Sequence, residues 1–119
     1  MNERVFRNLN SLEKEIIKRL VDAKDGYECL YEDLDVIKVE EMNDDGTMLE
    51  LHHPKHDRPL NEGVKPWSVE GVFVDSDGYR VFIYLFLDSN NNLCQLEYCK
   101  EDGSEILSGI DPAKIKLII

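Results

Sequence analysis

Three histidines crowd one short segment. His52, His53 and His56 stand in the run HHPKH, and imidazoles spaced i, i+1 and i+4 are the groups that ligate zinc and other transition metals. Pro54 breaks any helix that would bring His52 and His56 to one face, and on a strand His52 and His53 point to opposite sides. The expectation is exposed loop histidines and no metal. Asp88-x-Asn90-x-Asn92 matches the opening of a calcium loop, but its sixth position is Leu93 instead of Gly and its twelfth is Cys99 instead of Glu. The run Asp75-Ser76-Asp77-Gly78 fails similarly, because the first ligand position falls on Phe73. Asx residues favour turns by hydrogen-bonding their own backbone, which accounts for both runs. No serine lies in a G-x-S-x-G context, nothing in the spacing pairs Cys29 with a histidine, and the seven glycines form no phosphate loop. The chain is expected to be no enzyme and to carry no cofactor, with no catalytic residue and no metal site.

The elements that would position a site follow from periodicity. Residues 10–24 predict an amphipathic helix: Asn10 caps it, Glu13 stands three residues on as in a capping box, and Leu12, Ile16, Ile17, Leu20 and Val21 make the core stripe. Gly26 is its stop. Residues 35–42, 47–53, 68–74, 79–87 and 93–100 predict strands, punctuated by tight turns at Asp45-Gly46, Asp77-Gly78 and Asp88–Asn92, with Asp102-Gly103 closing the last. Residues 54–67, with three prolines and Gly63, predict a loop. The terminal KIKLII (114–119) fits a last strand or a docked tail, and Pro112 fits the start of a short helix. The expected fold is α+β, one domain over residues 1–119: an N-terminal helix packed on an antiparallel β-meander of four to five strands.

In 79–87, Val81, Ile83, Leu85 and Leu87 alternate with Phe82, Tyr84 and Phe86, so both faces ask for cover. With Tyr98 nearby, the aromatic set could suggest a base-stacking sheet. Only Arg80 supplies positive charge on that strand, so core packing is expected instead. Trp67 is expected in the core, and Cys29, Cys94 and Cys99 as free, partly buried thiols.

The net charge is −11, and residues 25–50 carry ten acids against Lys38, net −9. Tyr27, Leu30, Tyr31, Leu34, Val36 and Ile37 thread through that stretch, which makes it a folded segment. So acidic a chain argues against phosphate binding, hence against nucleic acid, and suits a basic partner. No apolar run reaches the roughly 20 residues of a membrane span, and Met1–Arg4 lead into no signal-peptide core, so a cytoplasmic protein is expected.

Three stretches, RNLNSLEKEIIKRLVD (7–22), VEEMNDDGTMLEL (39–51) and VFVDSDGYRVFIYLFLDSNNNLCQLEYCKEDGSEIL (72–107), together resemble an uncharacterised family of small bacterial proteins. That family pairs an R-x-L-x-x-x-E helix with a D-x-DG hairpin and ends on a strand of the type L-x-E-L-x-x-x-K-x-D. Its build is similar to the immunity proteins of polymorphic toxin systems, including contact-dependent growth inhibition. The resemblance transfers no functional residue. Size, charge segregation and absent catalytic motifs lead to the expectation of an immunity protein that covers the active site of a cognate, basic toxin domain. Tyr31, Glu32, Asp33, Asp35, Glu40, Glu41, Asp44 and Asp45 are the expected partner-binding residues. The alternative is a regulatory or housekeeping binding domain with a pocket between helix and sheet.

Overall fold

The computed structural model describes residues 5–54 and 64–118; His56 lies outside them. The first helix, α1, spans Ser11–Val21. Asn10 Oδ1 accepts from the Glu13 backbone N–H at 2.8 Å, and the Glu13 carboxylate accepts from the Asn10 N–H at 2.9 Å. The capping box is complete, with Asn replacing the usual Ser or Thr. Arg7 donates two further bonds to the same carboxylate, at 2.7 and 2.8 Å. The buried stripe is Glu13, Ile16, Ile17, Leu20 and Val21. Leu12, expected in it, sits at its edge and is exposed. A single turn, α2 (Leu30–Asp33), follows.

The strands are β1 (Arg7–Asn8), β2 (Lys38–Glu41), β3 (Met48–His52), β4 (Lys65–Pro66), β5 (Glu70–Val74), β6 (Arg80–Leu87), β7 (Leu93–Lys100) and β8 (Lys116–Ile118). They form one antiparallel sheet in the order β1-β2-β3-β7-β6-β5-β8, with β4 also on β6. The α+β class stands, and the expected four to five strands become eight. Three of the strands are only two or three residues long, too short to show an alternation. The pure meander is also corrected, because β3 pairs β7 across the long 53–92 excursion, burying Leu49 against Leu96. The tail realises both of its readings: Pro112–Lys114 is a 3-10 turn, and β8 then pairs β5.

All three hairpins share one loop plan. In β2–β3, Gly46 N–H donates to Asn43 O; in β5–β6, Gly78 N–H donates to Asp75 O; in β6–β7, Asn91 N–H donates to Asp88 O. The last residue of each loop is left-handed, with φ +68° at Gly46, +87° at Gly78 and +65° at Asn91. This is a type I turn completed by a left-handed residue, a three-residue loop. The turns expected at Asp45-Gly46, Asp77-Gly78 and Asp88–Asn92 are all present, each as a three-residue loop.

The core lies on one side of the sheet, under α1 and α2. Leu20, Ile37, Val39, Leu49, Leu51, Val81, Ile83, Leu85, Leu96 and Ile115 are all within 2 % of full burial. Gly71 on β5 sits directly below, where a Cβ would come 3.0 Å from Ile115 Cγ2. Trp67 is core, as expected: its indole N–H donates to Leu20 O at 2.9 Å, and Tyr27 meets it edge-on at 4.7 Å. Cys94 is buried, while Cys29 and Cys99 are exposed, which corrects the expectation for those two.

The D-x-DG hairpin and the K-x-D strand end meet in a buried ion cluster. Lys100 Nζ lies 2.8 Å from Asp75 and 2.6 Å from Asp77, and donates to Glu105 O at 2.9 Å. Asp75 also accepts from Leu107 N–H, Ser108 N–H and the Ser108 hydroxyl. The Lys100 ammonium and these donors hold the Asp75 carboxyl far below the ordinary carboxylate range. This cluster ties the segment after β7 to the β5–β6 hairpin. Among the described residues, no helix is long and apolar enough to cross a membrane.

Candidate functional site

Antiparallel sheets often leave one face to water, and polar residues then occupy it. On β6 the inward residues Val81, Ile83, Leu85 and Leu87 are buried, and the outward Phe82, Tyr84 and Phe86 are half-buried. None of those three packs against the core cluster. The expected core role for Phe82, Tyr84 and Phe86 is therefore corrected: a full apolar ring set stands on the open side. Tyr98 pairs with Ile83, which turns it to the opposite, core side.

The ladder fixes what surrounds them. One cross-strand row on the open face runs Glu40, Glu50, Gln95, Phe86. The next runs Met48, Glu97, Tyr84. A third joins Cys99, Phe82, Val72 and Lys116. Glu70 lies beyond Tyr84 on β5, with Ile118 opposite it. Phe82 and Tyr84 stack at 6.4 Å, and the Arg80 guanidinium covers Phe82 at 5.4 Å. Burial, together with Glu70, Cys99 and Glu97, pushes the Tyr84 phenol upward. The face thus has an acidic half on β2, β3 and β7 beside three rings on β6, with Val72, Glu70, Lys116 and Ile118 beyond them on β5 and β8. Among the described residues, no helix packs on it.

The expected partner-binding residues do not share one surface. Tyr31 packs against the core, with Lys18 Nζ 5.9 Å from its ring centre. Glu32 is exposed on α2, Asp33 lies 3.1 Å from His53 Nε2, and Asp35 accepts from Lys14 at 2.9 Å. Glu40 alone of the set joins the open face. Glu41 turns the other way, toward Arg7 at 3.8 Å. Asp44 and Asp45 stand in the β2–β3 loop. The hairpin separates that loop from the α2 group by about 13 Å of strand. Strand alternation divides the acidic stretch, and the outward residues of β6 and β7, which the sequence places by period 2, were missed because apolar alternation read as core.

Two further features have binding geometry. His52 and His53 do point to opposite sides, but neither is an exposed loop residue. His52 lies on β3, with Nε2 3.3 Å from Glu40 Oε1 and 3.6 Å from Glu50 Oε1, and the donor atoms of all three lie within 4.8 Å of one another. Phe6 meets the His52 ring edge-on at 5.2 Å. On the core side, a cleft of about 580 Å³ opens between the start of α1 and the sheet, with Asp44 and Asp45 at its lip and Tyr98, Ile106 and Ile110 lining it. Burial, then the nearby Glu13, holds the Tyr98 phenol above its ordinary range.

No curated protein and no solved structure matches the chain. A family model does, over residues 6–109, which takes in α1, the strands β1 to β7 and the ion cluster. The chain belongs to that family, described as Domain of unknown function (DUF6984).

Proposed function

We propose that this chain is a cytoplasmic binding protein that neutralises a cognate, basic bacterial toxin domain by docking it on the open face of the sheet. The observation that carries a binding role is the outward set of β6: Phe82, Tyr84 and Phe86 occupy positions that a solvated sheet gives to polar residues. Aromatic anchors at the centre of an interface supply most of its affinity. Glu40, Glu50 and Glu97 flank them and complement a basic surface, and a net charge of −11 steers such a partner from a distance. Asp44 and Asp45 in the β2–β3 loop and Glu32 on α2 lie off this face and act in this reading through the long-range field, on association rate more than on dissociation. The toxin class rests on size, charge and the resemblance to immunity proteins.

The test is growth. The C-terminal segment of the neighbouring upstream reading frame is expressed with and without this protein. The expected result is arrest that the wild-type chain relieves and that the Tyr84→Ala, Phe86→Ala variant does not. Relief undiminished in that variant, but lost in Asp44→Lys, Asp45→Lys, moves the docking surface to the hairpin loop. A harmless neighbour removes the toxin reading.

The second reading, a regulatory domain for a small ligand, has its own observation in the 580 Å³ cleft between helix and sheet. A ligand there raises the melting temperature of the wild-type chain and leaves the open-face variants equally responsive.

A further inference from the structure

We infer that Glu40, Glu50 and His52 form a binding site for a divalent first-row metal ion, with zinc the best fit to the donors. Glu40 and Glu50 are directly opposed on the β2–β3 ladder, and His52 lies two residues beyond Glu50 on the same face. Directly opposed like charges destabilise a sheet. A cation held by both carboxylates would add to the offset that His52 and their other contacts provide. The spacing is that of a coordination shell. Donors about 2.1 Å from a zinc ion in tetrahedral array stand about 3.4 Å from one another. His52 Nε2 stands 3.3 Å from Glu40 Oε1 and 3.6 Å from Glu50 Oε1. The widest separation, within 4.8 Å, closes by rotation of the glutamate side chains.

The donor set combines one imidazole with two carboxylates, three protein ligands that leave a position for water. The donors stand on paired strands, which hold them more firmly than loops do. A second observation points the same way. The edge of Phe6 fixes the His52 ring plane, and a cavity of about 410 Å³, lined by Phe6, Lys38, His52 and Pro54, opens beside that ring. Lys38, the cross-strand partner of His52, donates its Nζ to Asn8 Oδ1.

This inference shares Glu40 and Glu50 with the proposed docking face, and its test needs no protein partner. The full-length chain, untagged and freed of metal by chelator, is titrated with Zn²⁺ alone by calorimetry. Co²⁺ is followed in parallel by its visible absorption. The expected result is one equivalent bound in the micromolar range, with a rise in melting temperature. His52→Gln and Glu50→Gln each weaken binding about tenfold or more, while His53→Gln leaves it unchanged. Glu50→Gln keeps the side-chain shape, and the metal-free variant is expected to give the wild-type circular dichroism spectrum. That separates loss of a ligand from loss of the fold. No binding of Zn²⁺ or Co²⁺ by the folded chain overturns the assignment, as does binding that His52→Gln leaves undiminished.

Discussion

Leu85 and Tyr84 are neighbours on β6 and face opposite ways, so one pair of substitutions tests whether the aromatic side of the sheet is truly open. Leu85 is 1 % exposed and lies in the core row with Leu96 and Leu49. Leu85→Ala removes buried carbon and leaves a cavity that close packing cannot fill, at about 2–5 kcal/mol. Tyr84 is half-exposed, with Glu97 opposite it on β7. Cross-strand pairs contribute roughly 0.2–1 kcal/mol, so Tyr84→Ala costs about 1 kcal/mol. For a chain of this size 1 kcal/mol is about 4 °C in Tm. Leu85→Ala is expected to lower Tm by about 8–20 °C and Tyr84→Ala by about 4 °C. Urea unfolding followed by Trp67 fluorescence provides the same comparison in free energy, with equal m-values confirming that neither variant alters the unfolded state. In the complex the ranking inverts: Tyr84→Ala loses about 2 kcal/mol, roughly 30-fold in affinity, as an interface anchor does. A loss of stability in Tyr84→Ala as large as that in Leu85→Ala refutes the open face, because it requires the ring to be covered in the native chain.

Two further outcomes follow from the buried charges. Glu13 closes the capping box and takes two hydrogen bonds from Arg7, so Glu13→Ala costs about 2–3 kcal/mol, and Glu13→Gln recovers about 1 kcal/mol by keeping the cap; thermal unfolding by circular dichroism measures both. The Asp75 carboxyl is held far below its unfolded value of about 3.9, so its contribution is complete above that pH and is lost as pH falls below it toward the folded value; stability measured from pH 6 to pH 2 should drop in the wild type and drop less steeply in Asp75→Asn.

The helix was legible because its cap and its 3.6 period agree, and β6 because a run of eight residues rich in β-branched and aromatic side chains favours a strand throughout. The hairpin loops show where legibility stops. Asp-Gly reads as a two-residue turn, which would oppose Glu40 to Leu51. The three-residue loop that forms instead opposes Glu40 to Glu50. A one-residue change of register turns every side chain to the other face, so the Glu40–Glu50–His52 cluster was invisible while the turn was read as tight. Asn43 is the signal that selects the longer loop. Its side-chain oxygen accepts from the Thr47 and Met48 N–H groups, and Asp88 organises the β6–β7 loop in the same way. The α2 turn also had a signal, since Leu30, Leu34 and Ile37 are buried at helical spacing. The β3–β7 pairing had none, because nothing local specifies a partner more than forty residues away.

The motif residues themselves argue that recognition and function occupy different parts of the molecule. In D-x-DG and K-x-D, Asp75, Asp77 and Lys100 are consumed by one buried cluster, and the arginine and glutamate of the helix motif by the Arg7–Glu13 pair. Removing one member of such a cluster strands its partners without water, so chemistry fixes these positions whatever the chain binds. Phe82, Tyr84, Phe86 and Glu97 stand outside both groups. Each is set outward by the pleat of a strand whose inward residues already secure the fold. A scaffold held by its core, its helix cap and its ion cluster can therefore change the open face with little loss of stability. In the proposed docking that freedom suits a protein matched to one particular partner, and the determinants of its specificity would be the alternate residues of β2, β3, β7 and β6.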